Sequence, residues 1–265
     1  MRSSAEIALA EWQKTRLVTV HAGRKDYGMG RDDVTVLSYY WGANTHPQDT
    51  QFYRMEVAFR ETWLHCGALH SVIVTDLPTK EMERFAENFP NVEIQIEPTL
   101  VPGKLFTMSA DMNGRLFTRF MTPYVLVIQN DGYPIRAGLE DFVGNYDFIG
   151  APYIGLQWWK QIISYVTNYR VQNGGFSLRS RAICEAAAHY WNKKYHELGD
   201  CIESSEDIFY TSTLIKKERK YRRTFRLATT KESLAFSWDA LVPIPKPDNL
   251  PFGFHRDISL SLLNI

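Results

Sequence analysis

Residues 124–134 read YVLVIQNDGYP. Val125, Leu126, Val127 and Ile128 form the uninterrupted apolar run of a strand buried on both faces, and it ends in two amides, a carboxylate and a glycine. In a sheet of parallel strands, ligands bind in the crevice beyond the carboxyl ends. The polar end of this run, Gln129, Asn130 and Asp131, therefore marks a place where function is expected.

Working outward, VTVLSYY (34–40) is a β-branched run followed by the breaker-rich GANTHPQD. Helical spacing over about 50–65 leads to a second strand, SVIVTD (71–76), and Pro78-Thr79 opens a short helix that ends near residue 88. VEIQI (92–96) is a third strand, and a helical segment over about 107–121 stops at Thr122-Pro123, just before the quoted run. Strands alternating with helices predict an α/β fold with a mostly parallel central sheet flanked by helices on both faces. Such a sheet places Tyr39, Tyr40, Asp76, Asn130 and Asp131 along one rim. The second half reads YDFIGAPY (146–153), VQNGGFSLRS (171–180), helices over about 181–191 and 206–217, and a Pro-rich tail ending in PFGFHRD. With no internal repeat and no low-complexity linker, residues 1–265 are expected to form one domain.

Composition narrows the function classes. At 265 residues and 45 % hydrophobic content the chain can bury a large core, and 30 basic against 30 acidic side chains argue against a nucleic-acid partner. Cys66, Cys184 and Cys201 lack metal-site spacing and read as reduced thiols of a cytoplasmic protein. No stretch approaches the roughly 18 apolar residues of a membrane span. At most peripheral membrane contact is expected, through the basic run KKERKYRR (216–223), which also fits a solvated helix end.

Four short segments carry candidate chemistry. Asp131-Gly132 is ordinary turn chemistry, and it is also an oxygen ligand at the rim of a nucleotide site. In NGGFSLRS (173–180), Gly174 and Gly175 allow close approach to the backbone; the spacing is neither a Walker loop nor GxGxxG. SSEDIFY (204–210) places Glu206 and Asp207 at a helix start, as helix-end complements or as a general base. In PFGFHRD, His255 is a structural histidine or a second metal ligand beside Asp131. Trp158, Trp159 and Trp238 serve equally as core or as the floor of a sugar cleft, and residues 155–170 as a flap or a packed helix.

The ordered set IQNDGYPIRAGLEDFVGNYDFIGAPY, NGGFSLRS, SEDIFY, FSWD and PFGFHR resembles the DUF5672 group of glycosyltransferase-like proteins, which look like members of the GT-A superfamily, over residues 107–257. The resemblance implies a GT-A-like domain with a nucleotide-donor half (about 30–131) and an acceptor half (about 132–265). It implies transfer of a sugar from a nucleotide-sugar donor, a UDP-sugar favoured, to a glycan or glycolipid acceptor, in bacterial surface polysaccharide or lipopolysaccharide synthesis. Asp131 falls where such enzymes carry the last acid of an Asp-x-Asp motif that binds Mn²⁺ or Mg²⁺ on the donor diphosphate, with His255 as a further ligand. Gln129 stands in place of the first acid, which puts metal dependence in question. Gly174 and Gly175 are implied to face the donor sugar and the acceptor, with Asn173 contacting the acceptor, and Asp207 or Glu206 is implied as the base of an inverting reaction; Asn130 is assigned to the donor from its place on the rim, and Trp238 to the acceptor as a ring for a sugar face. Tyr39, Tyr40 and Asp76 are assigned to the nucleoside by topology alone. The competing readings are a non-catalytic carbohydrate- or nucleotide-binding module, which Gln129 favours, and a nucleotidyltransferase or nucleotide-sugar hydrolase.

Overall fold

A computed structural model describes residues 30–41, 52–152, 172–194, 205–217, 219–239 and 247–256. Six strands, β1 (Val34–Tyr39), β2 (His70–Thr75), β3 (Val92–Ile96), β4 (Tyr124–Val127), β5 (Phe148–Pro152) and β6 (Gln172–Ser180), form one sheet in the order β3-β2-β1-β4-β6-β5. The first four are parallel, so their carboxyl ends share an edge. β6 runs antiparallel to both β4 and β5, which brings its amino-terminal end, residues 172–176, to that same edge. A small parallel pair, β7 (Ser237–Asp239) and β8 (Gly253–His255), adjoins it through a bridge from Pro134 to Gly253.

Alternation along each strand splits the core into two layers. On β4 and the residue after it, Leu126 and Ile128 face one cluster while Val125 and Val127 face the other, and on β2 Ile73 opposes Val72 and Val74 in the same way. The first cluster is completed by α1 (Tyr53–Cys66) and α2 (Lys80–Asn88). The second is completed by α3 (Leu105–Arg115), α4 (Arg181–Lys194) and the helical run α5, which starts at Glu206–Ile208, passes through a π turn at Phe209–Thr213 and ends at Leu214–Lys217. Helices thus cover both faces, as the strand-helix alternation predicts. Local signals set the boundaries. Thr79 caps α2 by accepting a hydrogen bond from the Met82 N–H at 3.3 Å, and Thr229 forms a capping box with Glu232 at the start of α7 (Thr230–Phe236), which follows α6 (Arg219–Thr224).

Among the described residues no helix is long and apolar enough to cross a membrane. Burial pushes the Cys66 and Cys184 thiols up to about 12, which keeps both protonated and unreactive. Cys201, Trp158, Trp159, the 155–170 segment and the side chains of residues 216–220 and 222 lie outside the described residues.

Candidate functional site

β4 delivers its polar end as a tight turn. The Gln129 N–H donates to the Gly132 carbonyl at 2.9 Å and the Gly132 N–H donates back at 3.1 Å, leaving Asn130 and Asp131 half-buried at the tip. β6 is the longer strand, and beyond its last pairing with β4, Ser177 opposite Val127, it continues past this turn. A β-carbon on Gly132 would lie 3.1 Å from Phe176 Cβ and 3.0 Å from His255 Cδ2, so turn, β6 and β8 meet at this glycine.

The glycine pair sits where β6 leaves regular pairing. Ser177 opposes Gly150 of β5, yet the next pair is Gln172 with Pro152, so residues 173–176 bulge. Asn173 shapes the bulge by accepting the Gly175 N–H on Oδ1 at 2.8 Å, and the Ser177 hydroxyl donates to the Gly174 carbonyl at 2.9 Å. Neither glycine has a left-handed φ; close approach is what requires them. A β-carbon on Gly174 would stand 2.4 Å from Glu206 Oε1 and 2.8 Å from Arg179 Nη2, and one on Gly175 would stand 2.3 Å from His255 Nε2 and 2.5 Å from Gln129 Oε1. The backbone here is thus the thin partition between an acidic pair and a histidine.

The two acids are unequal. Glu206 is buried, and its Oε2 accepts the Ser109 hydroxyl at 3.1 Å. Burial, and then the neighbouring Asp207 charge, push its carboxyl above the usual range against the pull of Arg179 and Ser109. Asp207 is half-buried, and its Oδ1 accepts the Ser205 hydroxyl and the Ile208 N–H, both at 2.7 Å. Those two bonds fix the carboxylate while its Oδ2 has no partner among the described residues. Arg179 lies behind Gly174, fully buried, between the rings of Phe148 and Tyr210, donating through Nη2 to the Gly174 carbonyl at 3.2 Å and through Nε to Ser177 at 3.1 Å. Its Nη1 has no partner among the described residues.

On the other side, β7 and β8 pair Asp239 with His255 in register, and His255 Nδ1 lies 3.2 Å from the buried Asp239 Oδ2. That contact holds the proton on Nδ1 and turns Nε2 toward Gln129, 3.4 Å from Oε1. A histidine braced by a carboxylate in this way is the arrangement a metal-ligating imidazole uses. Among the described residues, however, no three His, Cys, Asp or Glu side chains are grouped to hold a metal. A divalent cation held by Asp131 and His255 would need a ligand's own phosphate oxygens to complete its coordination.

The structure thus gathers Gln129, Asn130, Asp131, Asn173, Gly174, Gly175, Glu206, Asp207 and His255 at one end of the sheet. Tyr40 and Asp76 stand half-buried on the same rim, at the ends of β1 and β2. Two expectations need correction. Tyr39 lies in the core with its hydroxyl donating to Asp111 Oδ2 at 2.6 Å, so its ring offers no stacking face. Trp238 is buried in the first core cluster and forms no surface for an acceptor. Arg179 and Asp239 received no role from the sequence, although both lie inside the quoted motifs; a basic or acidic residue next to a glycine pair or histidine motif is the signal that could have found them.

Fold and site together define a layered α/β protein with a polar cluster packed around a glycine pair at the carboxyl edge of its parallel strands. A model of the family described as "Protein of unknown function (DUF5672)" matches residues 106–255, more than half of the chain, and the chain belongs to that family. No curated protein sequence matches it significantly. Among solved structures it is similar to the mannosyltransferase PcManGT from Pyrobaculum calidifontis in complex with GDP-Man and Mn²⁺, at 11 % identity over 85 % of this chain and 65 % of that one, with a TM-score of 0.43. It is also similar to the glycosyltransferase GlyE of Streptococcus pneumoniae TIGR4, at 13 % identity over 86 % of this chain and 54 % of that one (TM-score 0.46). The mannosyltransferase Ktr4p of S. cerevisiae matches at 11 % identity over 78 % and 72 % of the two chains (TM-score 0.38). The chain spans about half to two-thirds of the length of the first two proteins. Likeness at these scores assigns no role to any residue of this chain.

Proposed function

We propose that this protein is a glycosyltransferase that moves a sugar from a nucleotide-sugar donor to a carbohydrate acceptor. The observation that carries the reading is the contact geometry of the glycine pair, Gly174 against Glu206 and Gly175 against His255 and Gln129. Four segments far apart in sequence, at 129, 173–175, 206 and 255, meet across two residues without side chains, which gathers their polar groups at the carboxyl edge of the sheet, where ligands of such folds lie.

In this reading residues 30–131 form the donor half and residues 132–265 the acceptor half of one GT-A-like domain. The nucleoside lies along the rim formed by Tyr40 and Asp76, and its diphosphate reaches the turn at Asn130 and Asp131. Asp207 is the base: its Oδ1 is fixed by Ser205 and Ile208, and Oδ2 takes the proton of the acceptor hydroxyl as that oxygen attacks the anomeric carbon. The bond from the anomeric carbon to the diphosphate oxygen breaks, and its electron pair leaves with the nucleoside diphosphate. Glu206, buried against Gly174 and tied to Ser109, positions the start of α5. A divalent cation, when bound, would neutralise charge on the diphosphate, with Asp131 and His255 as the residues to hold it. Attack from the face opposite the leaving group gives inversion. A UDP-sugar donor, a glycan or glycolipid acceptor, and work at the inner face of a bacterial membrane in surface-polysaccharide assembly complete the proposal.

Calorimetric titration with UDP, GDP, CDP and CMP, with and without Mn²⁺, on the wild type and on Asp131→Ala tests it. One nucleoside diphosphate binding with dependence on Asp131 is the expected result. Absence of binding for all four would favour a carbohydrate-binding module on the same fold.

A further inference from the structure

Arg256 is the only non-glycine among the described residues with a left-handed backbone, at φ 67°. That conformation is costly for a residue with a β-carbon, and where it is retained it serves a local purpose. Successive side chains on an extended strand point to opposite faces. Arg256 follows directly on β8, so an extended backbone would turn its side chain away from that of His255. Instead both reach the same buried oxygen, Asp239 Oδ2, with His255 Nδ1 at 3.2 Å and Arg256 Nε at 3.4 Å. The left-handed turn brings a guanidinium round to the histidine's side.

The guanidinium is held by its inner end only. Nε faces Asp239, the side chain is 37 % exposed, and the two terminal nitrogens have no partner among the described residues. A planar fork braced at Nε and open at both terminal nitrogens is suited to two oxygens of a phosphate or diphosphate. Asp239 thus braces two groups, one imidazole and one guanidinium, and the imidazole lies 3.4 Å from Gln129, which stands in place of a second acid. We infer that Arg256 binds the diphosphate of the nucleotide through its terminal guanidinium nitrogens, supplying positive charge that the missing carboxylate and its share of a metal do not. This rests on the donor-site reading above and assigns within it a contact that the sequence left without a role.

The test compares diphosphate with nucleoside. Calorimetry with UDP, GDP, CDP and ADP and with their parent nucleosides is run in EDTA and in Mn²⁺, on wild type, Arg256→Lys and Arg256→Gly. The expected result is that the diphosphate-over-nucleoside preference of the wild type falls about tenfold or more in Arg256→Gly, in both media, and less in Arg256→Lys, which keeps the charge and loses the fork. Nucleoside affinity separates this from a structural role: glycine accepts the left-handed φ, so Arg256→Gly is expected to bind the parent nucleosides as the wild type does while its diphosphate affinity falls. If a nucleotide binds but the preference is unchanged in both variants, the inference is overturned while the donor site stands. If no nucleotide binds the wild type in either medium, the donor-site reading fails and the inference with it. Should Arg256→Gly not fold, Arg256→Lys decides on the same ratio.

Discussion

Two of the regions in which this molecule buries charge do so in opposite ways. Beside the β3 edge, Asp111 and Glu97 share Arg119, with Arg119 Nη2 2.6 Å from Asp111 and 2.5 Å from Glu97, and Arg115 pairs with both acids at 2.9 and 3.0 Å. Tyr39 and Thr99 take up remaining carboxylate oxygens. Although burial opposes it, hydrogen bonds from Thr99, Arg119 and Arg115 bring Glu97 down to about 2. At β6 the balance is reversed. Arg179 and Glu206 are both buried and both face the space beside Gly174 but make no ion pair, one Arg179 nitrogen has no partner among the described residues, and the Glu206 carboxyl is pushed up. A network in which every charge is matched fixes a fold, whereas mismatched charge concentrated around a glycine pair is the pattern of a candidate functional site.

The largest expected effect belongs to the unmatched side. Asp207→Asn should lower release of nucleoside diphosphate from the active donor by about 10²- to 10⁴-fold in the presence of acceptor, with nucleotide affinity nearly unchanged in calorimetry. Retained turnover would transfer the base to Glu206 or point to a retaining reaction. On the matched side, Arg119→Met should cost about 3–5 kcal/mol in urea unfolding, since it strands two buried carboxylates on the more exposed Arg115. Nucleotide affinity in whatever folds should be that of the wild type.

Gly175→Ala comes next. Its added carbon meets the ends of two side chains, His255 and Gln129, which can shift, whereas Gly150→Ala would meet the Asn173 backbone carbonyl at 2.1 Å. Gly175→Ala should therefore cost about 1–3 kcal/mol at most and chiefly weaken nucleotide binding. Gly150→Ala should lower the melting temperature more. The smallest effect is one of sign. Glu206 has a raised folded value, so its ionisation opposes folding: Glu206→Gln should melt higher than wild type at neutral pH, and the gap should close as pH falls to the ordinary glutamate range. Glu97 is held down, so Glu97→Gln should melt lower at neutral pH, with the gap closing only as pH falls through about 2. Melting curves across pH check both, and gaps of the same sign would erase the contrast between the regions.

Much of this was legible in residue order. The runs at 34–40, 71–76 and 92–96 became β1, β2 and β3 within a residue, because two-sided burial leaves an unbroken apolar signature. The segments QND, NGG, SED and PFGFH converge because each lies at a strand or helix end, where polar residues interrupt a pattern. Direction of pairing was not legible. A β-branched run does not state whether its neighbour is parallel, and the antiparallel course of β6 is what carries Gly174 and Gly175 past the β4 turn. Nor could the sequence separate Tyr39 from Tyr40. Alternation alone sends one into the core and the other to the rim, and the partner that decides it, Asp111, lies on a helix 72 residues away.

Hydrogen exchange on the nucleotide-bound protein tests most directly that these segments form one donor site. With a saturating nucleoside diphosphate, added protection is expected together at 129–132, 173–176 and 253–256, with the 97–119 network unchanged. Protection that spares the glycine pair and the histidine strand, or that centres on the β3 edge, would contradict the account.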